Sequence, residues 1–79
     1  MPRVEIVVID AQTKRPVFGA GVMLDSRSAV TDIHGRAVFT VPRGTYMLRI
    51  RTPIHEPLTE RIKVTEDMKI ARYLRPLHL

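Results

Sequence analysis

Hydrophobic and polar residues alternate with a period of two along most of this chain. The clearest stretch runs from Val30 to Ile50, where Ala37, Phe39 and Val41, then Tyr46, Leu48 and Ile50, take alternate positions. Turn residues at Asp32–Gly35 and Pro42–Gly44 divide it into strand, turn, strand, turn, strand. Successive side chains of a strand point to opposite faces, so each triplet lines one face of a half-buried sheet. The same parity groups Val4, Ile6 and Val8 in a first strand, with Arg3, Glu5, Val7 and Ile9 opposite. Ala20, Val22 and Leu24 mark a second strand, Ser28–Thr31 a short third, and Leu58, Ile62 and Val64 a sixth with Glu60 near its rim. Between the first two strands, the loop Asp10–Gly19 contains Pro16, which blocks helix, and Val17–Phe18, expected to fold back under the sheets.

Met68–Leu74 is open to two readings. A short helix would have Thr65 as its N-cap and Met68, Ala71 and Arg72 spaced three to four apart. A seventh strand is favoured, because strand six otherwise lacks a partner. Seven short strands separated by turns predict an all-β, antiparallel Greek-key sandwich. Its core is expected to hold Val4, Ile6, Val8, Val22, Leu24, Phe39, Val41, Tyr46, Leu48, Ile50, Ile62 and Val64. Gly35 and Gly44 are expected to have positive φ in their turns.

A chain of 79 residues makes one domain, residues 1–79, with a thin core. It has no cysteine, which removes disulfides and thiolate chemistry. His34, His55 and His78 lie far apart with no carboxylate at ligand spacing, so neither metal nor cofactor is expected. Self-association remains as reinforcement for so small a body. Thirteen Lys and Arg, ten of them Arg, against eight Asp and Glu give a net charge of +5. Such a surface attracts nucleic acid, anionic membranes or acidic proteins. The absence of Asn, a single Gln and abundant charge suit a thermophile. There is no apolar run of the ~18 residues a membrane span needs, and the N-terminal residues lack the apolar core of a signal peptide. The location expected is cytoplasmic for a complete chain and extracellular for an excised domain.

The motifs resemble those of the carboxypeptidase regulatory-like domain, a transthyretin-like sandwich. They are Val8–Ile9–Asp10, Thr13–Lys14–Arg15–Pro16, Gly19–Ala20, Thr31–Asp32–Ile33–His34–Gly35–Arg36 and Pro42–Arg43–Gly44–Thr45–Tyr46, in family order over about residues 3–64. Departures are Lys14 in place of a glycine, Ala37 in place of an aromatic, and Thr52–Pro53–Ile54–His55 where the family has Gly-Tyr. PEGA-type surface domains are a second resemblance that lacks the T-D-x-x-G turn. The first resemblance implies an accessory, adhesion or assembly module. The motif residues also have structural roles: Asp32 caps its own turn, Pro42 presets φ, and Tyr46 buries its ring while its hydroxyl meets backbone.

Hydroxyisourate hydrolases share this sandwich and use histidine, arginine and a C-terminal Tyr-Arg-Gly-Ser. Here the sequence closes on Arg75–Pro76–Leu77–His78–Leu79. His34 and His55 fall in a turn and a loop, with only Asp32 or Glu56 to orient them, and are expected to be exposed. Ser26 and Ser28 lack nucleophile context, and Glu66–Asp67 reads as a solvated turn. Catalysis is therefore not expected.

Two surface features are candidates for function. Arg49 and Arg51 alternate with Leu48 and Ile50 and point outward, as do Arg61 and Lys63. If strands five and six pair, these make a basic stripe, with Arg36 and Arg43 near it, able to bind nucleic acid or an acidic polysaccharide. Exposed aromatics placed for base stacking are not expected beside it. The second feature is the group of apolar residues on solvent-facing positions: Val7, Ile9, Met23, Val38 and Met47. If Val7, Ile9, Val38 and Met47 are contiguous, they form an interface with a second copy or another protein. The leading expectation is a non-catalytic, self-associating interaction module. Polyanion binding is the alternative, and a hydroxyisourate hydrolase-like enzyme the third.

Overall fold

Alternating, β-branched-rich segments put the chain into seven strands: β1 (Arg3–Asp10), β2 (Gly21–Leu24), β3 (Arg27–Val30), β4 (Arg36–Thr40), β5 (Gly44–Arg51), β6 (Leu58–Val64) and β7 (Met68–Leu74). The computed structural model describes residues 1–77; His78 and its expected role lie outside the described residues. The strands form two sheets, one in the order β4-β1-β7 and the other β3-β2-β5-β6. The all-β, seven-stranded sandwich expected from alternation is the fold of this chain.

Pairing departs from an all-antiparallel arrangement at one place. β1 runs antiparallel to β4 but parallel to β7, from Val4↔Met68 to Asp10↔Leu74. Residues 68–74 are indeed a strand, yet their partner is β1, on the other sheet from β6. β6 pairs only with β5 and forms an edge. On one flank of the sandwich the edge strands β6 and β7 are tied by side chains. Arg72, which shares the inward parity of β7, makes a two-pronged ion pair with Glu60 of β6, its Nη2 donating to Oε2 at 3.2 Å. That pair raises the Arg72 pKa and places Glu60 at the rim, as its position among apolar neighbours suggested.

One layer of apolar side chains fills the space between the sheets: Val4, Ile6 and Val8 from β1, Ala37 and Phe39 from β4, Val22 and Leu24 from β2, Leu48 and Ile50 from β5, Ile62 and Val64 from β6, with Ala20, Val41 and Leu74. Tyr46 is the one expected core residue that is only half-buried. Its ring packs against the core edge, and its hydroxyl donates to the Pro42 carbonyl, which keeps the oxygen at the rim. Val17 packs against the core, but Phe18 is 70% exposed, contrary to the expected fold-back of both.

The turn motifs act as the sequence suggests, with one correction. Asp32 Oδ1 accepts the amides of His34 at 2.8 Å and Arg36 at 2.9 Å, and these bonds, Arg36 first, hold its pKa down. Thr31, buried, donates its hydroxyl to Val17 O at 2.6 Å and accepts the Ala20 amide at 2.8 Å, so it clamps the β1–β2 loop. Gly35 has φ 74°, and a Cβ there would lie 2.6 Å from the Val8 carbonyl oxygen. Gly44, by contrast, is not in the left-handed region: it is the first residue of β5, paired with Val64. A Cβ at Gly44 would meet the Tyr46 ring at an ordinary 3.6 Å.

Phe39→Ala is expected to lower unfolding free energy by about 3–5 kcal/mol, measured by denaturant titration, since Phe39 is the largest ring in the core. Gly35→Ala should cost about 1–3 kcal/mol from backbone strain, before the clash with Val8 is added. Gly44→Ala should be neutral or slightly stabilising in the same assay.

Candidate functional site

β1 ends at Asp10, whose carboxylate is held from both sides. Oδ1 accepts the amides of Gln12 at 2.8 Å and Thr13 at 2.9 Å, closing the turn that follows the strand. Oδ2 lies 2.7 Å from Nε2 of His55, 45 residues further on. The Thr13 amide, then the His55 hydrogen bond, bring the Asp10 pKa down to about 2. An ionised carboxylate only accepts, so Nε2 carries the proton and donates it. The other ring nitrogen, Nδ1, sits 2.7 Å from Thr52 Oγ1, which also accepts the Ile54 amide at 3.2 Å.

Hydroxyl, imidazole and carboxylate in this order have the connectivity of a nucleophile, its base and the base's orienter. Burial argues against that use. The His55 side chain is only 3% exposed, and both of its nitrogens are engaged. Residues 75–77 lie over the loop: the Glu56 amide donates to Arg75 O at 2.8 Å, and the Leu77 amide to Ile54 O at 2.9 Å. The shallow cleft of about 320 Å3 that begins at Glu56 is lined by Leu58, Tyr73 and Arg75 among others, and neither Thr52 nor His55 reaches it. The group is a staple joining the β5–β6 loop to the end of β1. His55 is thus not the exposed loop histidine expected, while His34 is exposed. Asp10 was visible in sequence as the end of the Val8–Ile9–Asp10 motif, but nothing local linked it to His55. Among the described residues no group of three or more His, Cys, Asp or Glu could hold a metal ion.

The two surface candidates separate onto opposite faces. Val7 and Ile9 of β1 and Val38 of β4 lie on the outer face of the three-stranded sheet; Met23 of β2 and Met47 of β5 lie on the outer face of the four-stranded sheet. The strip of Val7, Ile9, Val38 and Met47 is therefore not contiguous. Register completes the three-stranded face differently, setting Val7 beside Ala71 and Ile9 beside Tyr73, with Pro16 bridged to Ile9 on the other side. Val38 is 42% and Tyr73 53% exposed, and the Lys14 ammonium lies 5.2 Å from the Tyr73 ring centroid. Charges on this face are partly compensated: Arg3 and Lys69 share the Glu5 carboxylate at 3.5 and 3.6 Å, and Arg36 reaches Asp32 at 3.5 Å.

β5 and β6 do pair, which brings Arg49, Arg51, Arg61 and Lys63 onto one outer face. Arg36 is not near them, because β4 belongs to the other sheet. Arg43 stands at the strand end, where its Nε donates to Thr65 O at 2.8 Å. The exposed aromatics are not beside this stripe: Phe18 is in the β1–β2 loop and Tyr73 on the three-stranded sheet. Sequence parity also did not single out the loop residues Ile33 and Ile54, 71% and 65% exposed.

No family model matches this chain. Its fold is similar to 5-hydroxyisourate hydrolase of Klebsiella pneumoniae, with a TM-score of 0.77 over 96% of this chain and 92% of that one, at 19% identity. It is also similar to a chain of a type II cohesin–X-dockerin complex from Acetivibrio cellulolyticus, with a TM-score of 0.68 and 26% identity, covering 90% of this chain and 52% of that one. In sequence it is 40% identical over 63 residues to S-layer protein B of Metallosphaera sedula. That match takes in 78% of this chain and 15% of the relative, so the chain spans a small part of the curated protein it resembles. The transthyretin-like sandwich is established by these likenesses; the carboxypeptidase regulatory-like family stands as a resemblance of motifs.

The Asp10 staple predicts an acid-sensitive stability. Its carboxyl pKa is lowered to about 2 when folded, against an ordinary 3.8, so its contribution is full above the unfolded value and is lost as pH falls through the folded one. The stability gap between the unmodified chain and Asp10→Asn should be constant near neutral pH. It should narrow from about pH 4 downward as unfolding midpoints are followed toward about pH 2.

Proposed function

We propose that this chain is a non-catalytic β-sandwich module that acts through protein–protein contacts, and that it pairs with a second copy of itself. The observation that carries this reading is the apolar track on the outer face of the three-stranded sheet: Val7 and Ala71, Ile9 and Tyr73 are adjacent by register, and Val38, opposite Glu5, lies diagonal to Val7. A sheet face that only meets solvent needs no such track. Ion pairs around it reduce the flanking positive charge, with Glu5 shared by Arg3 and Lys69 and Asp32 holding Arg36, which lessens like-charge repulsion between two copies. A twofold contact would set the same track against itself and reinforce a thin core by mass action.

The likenesses support an assembly role. One relative is named as an S-layer protein, and one structural neighbour was solved in a cohesin–X-dockerin complex. They also favour an extracellular setting, as a module of a longer surface protein. The hydrolase neighbour, at 19% identity, contributes its fold and not its activity. Among the described residues, the one imidazole held by a carboxylate, that of His55, is buried in a loop hydrogen-bonded to residues 75–77.

Sedimentation velocity at micromolar concentration tests this reading. The unmodified chain should run as a dimer or larger species and Ile9→Arg as a monomer, the buried charge opposing association. Met47→Glu, on the opposite sheet, should leave the assembly unchanged. A monomeric unmodified chain would overturn the proposal.

A further inference from the structure

On the four-stranded sheet, every ionisable residue at an outward strand position is a cation: Arg49 and Arg51 from β5, Arg61 and Lys63 from β6. All four are exposed, and among the described residues none reaches a carboxylate. The contrast with the opposite sheet, where Arg3, Lys69 and Arg36 each have an acid within 3.6 Å, is a property of this fold and not of its net charge. The acid nearest in register, Asp25 of the β2–β3 turn, is bonded through Oδ1 to the Met47 amide at 2.8 Å.

Register spreads the four charges along a diagonal. Lys63 faces Thr45, Arg61 faces Met47, Arg49 faces Thr59 and Arg51 faces Gly21, so no cation stands directly opposite another. Like charges directly opposed would destabilise the sheet; staggered, they are tolerated and remain concentrated. Residues two apart along a strand are separated by roughly 6.6 Å and neighbouring strands by about 4.8 Å, so the diagonal extends for roughly 20 Å. Each cation lies within a Debye length, about 8 Å, of the next, and their fields add.

We propose that this face binds an acidic polysaccharide, a linear chain bearing carboxylate or sulfate groups at regular intervals. A small anion would neutralise one or two of these cations, whereas a linear polyanion engages all four in one pose. Three of the four are arginines, whose planar guanidinium forks an oxyanion with two parallel N–H bonds. The outward strand positions of this face hold no aromatic residue. A saccharide carboxylate or sulfate needs only charge and hydrogen bonds there, while single-stranded nucleic acid depends on stacking platforms. This surface lies on the sheet opposite the track assigned to self-association, so either assignment can fail without the other.

The test is titration calorimetry of the 79-residue chain with a short heparin oligosaccharide and with a single-stranded oligonucleotide of equal charge. The double variant Arg49→Gln, Arg61→Gln is compared with Arg15→Gln, Arg75→Gln, which removes the same charge from exposed sites off this face. Heparin is expected to bind more tightly than the oligonucleotide. The face variant should lose about tenfold or more in affinity and flatten the log–log salt dependence by roughly one to two, while the control loses no more than about twofold. Circular dichroism of each variant confirms that the fold is kept. Equal losses in the two double variants, tighter binding of the oligonucleotide, or no heparin binding would each overturn the proposal.

Discussion

The single layer of aliphatic side chains between the two sheets is the constraint to which the rest of the molecule answers. Most of it is valine, isoleucine and leucine on alternate strand positions, with Phe39 as its one large ring. A layer this thin has little free energy in reserve, so its borders must be sealed by hydrogen bonds and ion pairs. Arg72 and Glu60 bridge the open flank between β6 and β7. Thr31 clamps the β1–β2 loop over one end, and Tyr46 closes another margin through Pro42.

β1 is the strand through which these borders are joined. It lies between β4 and β7, antiparallel to one and parallel to the other. Its first amide is fixed to Asp67 at 2.8 Å, and its last carboxylate holds His55. The Asp10–His55–Thr52 chain resembles catalytic machinery only in connectivity. Where a hydrolase leaves the hydroxyl and imidazole open to substrate, this arrangement covers the imidazole with the C-terminal segment and spends its nitrogens on structure. A buried polar group satisfied on every side is a stabilising device.

The two outer faces differ in kind. One is apolar at its centre, with Arg3, Lys69 and Arg36 held by carboxylates; the other bears four cations that, among the described residues, reach no carboxylate. The two proposals rest on this division: pairing with a second copy is assigned to the apolar side and holding a charged polymer to the cationic one.

Strand positions, turn positions and the inward or outward sense of nearly every strand residue were legible in the sequence, because pleat parity is a local property of the chain. Asp32 and Gly35 were equally legible, since an Asx cap and a positive φ involve only neighbouring residues. Sheet membership was not. Val7, Ile9 and Val38 share outward parity with Met23 and Met47, yet lie on opposite faces of the molecule, because parity says which side of its own sheet a residue takes and not which sheet that is. The parallel β1–β7 pair, the Asp10–His55 contact and the extended Gly44 likewise depend on partners distant in sequence. Sequence alone determined the alternation that makes a two-sheet sandwich; only tertiary pairing decided which outward residues became neighbours, because pairing is settled by long-range registry between strands that local chemistry does not encode.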